Sequence, residues 1–83
     1  MSNEDIRNFI VSLLQRKGHL PSDFDDSTDF IADGIVDSIG IIKFVLEIES
    51  RFGIEILDAD IEGRRFRTLS GLATMIAAKL AMA

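Results

Sequence analysis

Cysteine is absent from the 83 residues, which excludes a disulfide framework, a thiolate metal site and a cysteine nucleophile and suits a reducing cytosol. No apolar stretch approaches the roughly 18 residues needed to span a membrane. The opening Met1-Ser2-Asn3-Glu4-Asp5 lacks the basic region and long apolar run of a signal peptide. A cytoplasmic location without a membrane partner is therefore expected. No internal repeat, low-complexity tract or interdomain linker is visible, so residues 1–83 read as a single domain. Histidine occurs once, at His19, and a lone imidazole beside Gly18 is more often a surface residue than a catalytic base. Basic residues are also scarce, 9 against 14 acidic for a net charge of −5. That balance disfavours nucleic acid and anionic lipid and favours basic patches on protein partners.

What is present is apolar, at 47% of residues, ample for a core in a domain so small that it buries only somewhat more than about 60% of its unfolded surface. Ile6, Phe9, Ile10, Leu13 and Leu14 follow the spacing of one helical stripe. Ser2 or Asn3 can cap this helix, Glu4 and Asp5 suit its first turn, Arg16 and Lys17 its last, and it should run from about residue 3 to residue 17. Pro21 then fixes a loop. Residues 22–37 alternate six aspartates with Phe24, Phe30, Ile31, Ile35 and Val36, a pattern expected of a solvated loop whose apolar members dock on a bundle.

From Ile39 to Phe52 the polar residues Gly40, Lys43, Glu47 and Ser50 trace one narrow stripe on an otherwise apolar helix, which should be enclosed by other helices except along that stripe. Glu47 and Arg51 are spaced as an i, i+4 pair, and Gly53 offers a C-terminal cap. Residues 53–57 read as an extended connection. A short helix capped by Asp58 or Asp60 should end near Gly63, and Thr68 should cap a last helix with Leu69, Leu72, Met75, Ile76 and Leu80 on one face. The fold expected is all-α, a small bundle of three main helices and one short one.

Four features could carry chemistry. Asp23-x-Asp25-x-Ser27-x-Asp29 invites comparison with a calcium loop, but Thr28 and Gly34 stand where an EF-hand needs glycine and a bidentate glutamate. Val36-Asp37-Ser38-Ile39-Gly40 half-matches a hydrolase nucleophile elbow without its first glycine or a parallel sheet. Arg64, Arg65 and Arg67 read as a solvated turn in an acidic protein. Ser38 stands where an acidic loop enters an apolar helix. There a serine can serve as a plain N-cap or hold a phosphate ester at the positive end of the helix, and the residues alone favour the cap.

Asp33-Gly34-Ile35-Val36-Asp37-Ser38-Ile39, followed by an apolar helix ending in Glu49-Ser50-Arg51-Phe52-Gly53-Ile54-Glu55-Ile56, resembles the acyl carrier protein family of phosphopantetheine-binding domains. The likeness covers nearly the whole chain, including the first helix, the acidic loop and the Arg67-Thr68-Leu69 to Leu72-Ala73 start of the last helix. It implies a non-catalytic, acyl-carrier-like bundle with 4′-phosphopantetheine on Ser38, transferred from coenzyme A by a phosphopantetheinyl transferase. The carried acyl group would be held as a thioester. Asp37 and Ile39 would be read by partners, and Gly40, Lys43 and Glu47 would face them from the second helix. Further partners implied are an acyl- or aminoacyl-loading ligase and downstream acyltransferase or synthase enzymes, met by a monomer. Fatty-acid-synthesis carriers have a strongly acidic second helix, so Gly40 and Lys43 point instead to a free-standing carrier for a dedicated pathway. An aminoacyl or peptidyl carrier is the alternative, and an unmodified helical interaction module a more distant one.

Overall fold

Asn3 opens the first element of a computed structural model that describes residues 3–16, 20–37 and 39–82. Ser2, Lys17, Gly18, His19 and Ser38, all used in the sequence reading, lie outside those residues. The order is α1 (Asn3–Gln15), α2 (Gly40–Phe52), α3 (Asp58–Glu62), a 3-10 turn (Arg64–Arg67) and α4 (Leu69–Met82). The expected all-α bundle is thus what the protein adopts. The helix expected to reach residue 17 ends at Gln15, and the second starts at Gly40 instead of Ile39.

Helix α1 buries Ile6, Ile10, Leu13 and Leu14, the stripe its spacing defines, and α4 buries Leu69, Leu72, Met75 and Ile76. These two helices pack directly on each other, and the small side chains Ala73 and Ala77 of α4 lie against the core. Helix α2 joins them through large rings. Phe52 meets Phe9 edge to face at 5.4 Å between centroids, and Phe44 stands between Phe30 and Phe66 at 5.7 and 6.0 Å. Edge-to-face pairing at these distances is the favoured arrangement of aromatic quadrupoles.

Caps fix the ends. Thr68 accepts the Gly71 N–H on its hydroxyl and the Leu72 N–H on its carbonyl, as an N-cap should. Asp60 caps α3 by accepting the Leu57 N–H at 2.8 Å. Gly53 ends α2 in the left-handed conformation (φ 66°), its N–H donating to the Glu49 carbonyl, a conformation that glycine adopts without steric penalty. The connection that follows is anchored by Glu49, whose carboxylate accepts the Ile56 N–H at 2.8 Å.

The long loop from Leu20 to Asp37 is docked as expected: Phe30 and Val36 are fully buried, and Phe24, Ile31 and Ile35 pack partly against the core. Several of its aspartates, though mostly exposed, are engaged by other groups of the chain. Asp25 accepts hydrogen bonds from the Ser27 hydroxyl and N–H, Asp26 pairs with Arg7, and Asp29 accepts the Ile31 and Ala32 N–H groups. Arg67 departs from the solvated-turn reading: its Nε donates to Asp29 at 2.6 Å, while its carbonyl accepts the Phe30 N–H. The loop is thereby tied to the start of α4.

Candidate functional site

The junction between this loop and α2 is built from both sides. Gly34, at φ 78°, lets the chain reverse after the Asp29 turn, its N–H donating to the Ile31 carbonyl. Buried Val36 then returns its N–H to the Phe30 carbonyl at 3.0 Å, and the next residue, Asp37, is exposed. The Asp37 carboxylate accepts the Gly40 N–H at 2.6 Å and its carbonyl accepts the Ile41 N–H at 3.0 Å. Those two bonds are the signature of an N-cap. The cap that the sequence assigned to Ser38 is therefore held by Asp37, and the Gly40 amide has no need of a serine acceptor.

Ser38 itself is outside the described residues, but its chain neighbours Asp37 and Ile39 are both exposed, Ile39 to 84%. The helix that starts at Gly40 is 13 residues long, and backbone dipoles at such a helix start favour an anionic phosphodiester. The described helix start, with exposed residues on either side of it, thus suits a phosphate-linked group on electrostatic grounds.

The remaining predicted residues divide. Lys43 is exposed, one turn beyond the junction. Gly40 is buried, so it does not lie on the open face the polar stripe implied. Glu47 does not pair with Arg51; it bridges to Arg16 of the α1 end at 3.2 Å, and the Arg51 guanidinium lies 5.7 Å above the Phe9 ring and 5.4 Å above that of Phe52. Nor is α2 enclosed except along a polar stripe, since Ile42 and Leu46 are 65% and 59% exposed. Sequence reasoning missed these two because apolar residues were assigned inward. The available signal was that apolar positions surround more of α2 than a partly covered helix can bury.

Hydrogen bonds from the Ala32 N–H and then from the Arg67 guanidinium hold the Asp29 carboxyl below the usual carboxylate range, and the Ser27 hydroxyl does the same for Asp25. Among the described residues, no group of three or more His, Asp or Glu is placed to hold a metal ion, and no helix is long and apolar enough to cross a membrane.

A helical bundle that offers a firmly capped helix start to solvent, with a serine next in sequence, has the layout of a carrier domain. Residues 4–76 match the family described as the phosphopantetheine attachment site. The chain is also 36% identical over 63 residues to an acyl carrier protein of Lactobacillus acidophilus, an overlap covering 75% of this chain and 79% of that relative. The chain belongs to the phosphopantetheine-binding acyl carrier protein family, whose members are carriers and not enzymes and whose prosthetic group is 4′-phosphopantetheine.

Proposed function

We propose that Ser38 is the attachment residue and that the protein is a free-standing, single-domain cytoplasmic carrier serving a dedicated biosynthetic pathway. The observation that carries the assignment is the Asp37 cap: with the Gly40 N–H already satisfied, the serine is released from the capping role that competed with attachment. When bound, 4′-phosphopantetheine supplies a terminal thiol on which an acyl group is held as a thioester. The chain's own contribution is positional. In the transfer the Ser38 hydroxyl would lose its proton as its oxygen bonds to the pantetheine-side phosphorus of coenzyme A, the diphosphate P–O bond would break and adenosine 3′,5′-bisphosphate would leave, and the α2 dipole would stabilise the resulting phosphodiester charge. The bundle stays folded while the arm presents its cargo at high effective concentration to each enzyme in turn.

Support for a dedicated pathway comes from α2, whose two acids, Glu47 and Glu49, are engaged within the fold by Arg16 and by the Ile56 N–H. Its exposed charge close to the junction is Lys43. A face of this kind does not offer the strongly acidic surface of fatty-acid-synthesis carriers, and charge complementarity sets partner choice.

Co-expression with a broad-specificity phosphopantetheinyl transferase, followed by intact-mass measurement, tests the site. One phosphopantetheine increment is expected on the natural chain and none on Ser38→Ala. An increment that survives Ser38→Ala, or its absence from the natural chain, rejects the assignment. Loading of the modified chain by acyl ligases and not by amino-acid-adenylating ones separates the acyl from the aminoacyl reading.

A further inference from the structure

Between the end of α1 and the first half of α2 lies a cleft of about 110 Å³, lined by Leu13, Arg16, Lys43, Phe44 and Glu47. Its floor is apolar, since Leu13 and Phe44 are buried, and its rim is charged. Arg16 reaches Glu47 through Nη1 alone, at 3.3 and 3.2 Å from the two carboxylate oxygens, so the guanidinium keeps N–H donors for another acceptor. Lys43 is exposed and meets no carboxylate among the described residues. Two cations against one acid leave the cleft positive, in a chain whose net charge is −5. An apolar pocket with a few convergent polar groups is the usual form of a small-ligand site, and these groups select an anion on a short apolar stem.

We propose that this cleft receives the far end of the carried group, and that the cargo is a short acyl chain ending in a carboxylate, which Lys43 and Arg16 pair with above Leu13 and Phe44. The inference rests on the carrier reading above and names the class of its cargo. Size, charge and position select it. An engineered cavity of about 150 Å³ holds benzene, so this smaller cleft has room for a carboxylate and about two or three methylenes, and none for a long alkyl chain. An ammonium-bearing aminoacyl group would meet two cations and be repelled. Lys43 follows the helix start at Gly40 by three residues, about 4.5 Å along the axis, which keeps the cleft close to the end of α2 at which the carrier reading puts the arm. Tethering supplies an effective concentration in the millimolar range, so an affinity too weak to retain a dissolved ligand is enough to hold a tethered one.

A broad-specificity phosphopantetheinyl transferase can load the chain from glutaryl- or pentanoyl-coenzyme A, cargoes of equal length that end in a carboxylate and in a methyl group, with intact mass to verify loading. In the glutaryl form the NMR signals of the Leu13 methyls and the Phe44 ring should move, and the thermal midpoint should lie about 3–6 °C above that of the pentanoyl form. Both differences should vanish in the double variant Arg16→Gln, Lys43→Gln, weaken at about 500 mM NaCl as exposed charge pairs do, and persist in Lys43→Arg. If the double variant fails to fold, Lys43→Gln alone, on an exposed side chain, should reduce the midpoint difference about twofold. Free glutarate at about 10 mM, added to the unmodified chain, should move the same signals only in part. Equal shifts for the two cargoes, or glutaryl shifts unchanged in Lys43→Gln, overturn the inference. Saturation by micromolar free glutarate assigns the cleft to a dissolved carboxylate and overturns it too. If natural and variant chains alike gain no mass, the carrier reading fails and takes this inference with it; loading with equal shifts overturns the inference alone.

Discussion

At the scale of single residues, Asp37 and Gly71 have the most sharply defined roles. Asp37→Ala removes the carboxylate that accepts the Gly40 N–H, and loss of an N-cap costs about 0.5–2 kcal/mol. In a domain of this size each kcal/mol lowers the thermal midpoint by about 4–8 °C. Asp37→Asn keeps an acceptor in place and should recover most of the loss, a comparison that a thermal melt monitored by circular dichroism decides. Gly71 lies where α4 presses on the 3-10 turn: a Cβ there would stand 2.6 Å from the Arg65 carbonyl oxygen and 2.8 Å from the Arg65 Cα. Backbone cannot yield as a side-chain tip can, so Gly71→Ala should destabilise by about 1–3 kcal/mol despite its better helix propensity. A shift of the urea midpoint to lower concentration is the expected result. A cap at this junction was legible, but the sequence reading gave it to Ser38; that Asp37 serves instead depends on where the preceding loop leaves the chain. Gly71 gave no sequence signal, because nothing local reveals that Arg65 backs onto it.

At the scale of elements, the loop of residues 20–37 and helix α2 behaved differently under sequence reasoning. The loop's apolar anchors were legible because buried residues interleaved with aspartates have few alternatives. Its tether was not: Asp29 and Arg67 are far apart in the chain and meet only in the folded state. The tether makes a pH prediction. Asp29's carboxyl is held below its ordinary range in the folded chain by the Ala32 N–H and Arg67. Its stabilising contribution is therefore complete above the unfolded value of about 3.9 and is lost as pH falls through the lower folded value. Asp60, lowered by Lys79 and then by the Leu57 N–H, acts with the same sign. The thermal midpoint should fall as pH drops from about 5 toward 3. Asp29→Asn should start from a lower midpoint at neutral pH and show a shallower acid decline. An acid decline identical to that of the natural chain would remove Asp29 from the account.

For the whole molecule, Phe44 is the central piece, joining the loop's Phe30 to Phe66 of the 3-10 turn and so carrying α2 on the bundle. Phe44→Ala should cost about 3–5 kcal/mol, against a total of about 5–15 kcal/mol for an ordinary domain. Circular dichroism and urea unfolding should show a chain at the edge of folding. Phe44→Leu, which keeps most of the apolar volume, should fall between the two.

The amino-acid sequence by itself determined the helices, the apolar stripes of α1 and α4, the docked loop and the serine where that loop enters α2, because each is written in local spacing that 3.6-residue periodicity and capping chemistry translate directly. Only the tertiary structure decided which side of α2 is covered. That helix is apolar over too much of its surface for periodicity to choose, and the choice fell to the phenylalanine contacts that turn Phe44, Ile48 and Phe52 inward and leave Ile39, Ile42 and Leu46 in solvent. It likewise sent Glu47 to Arg16 and Arg51 to the Phe9 and Phe52 rings, because which charges meet depends on how helices distant in sequence come to lie side by side.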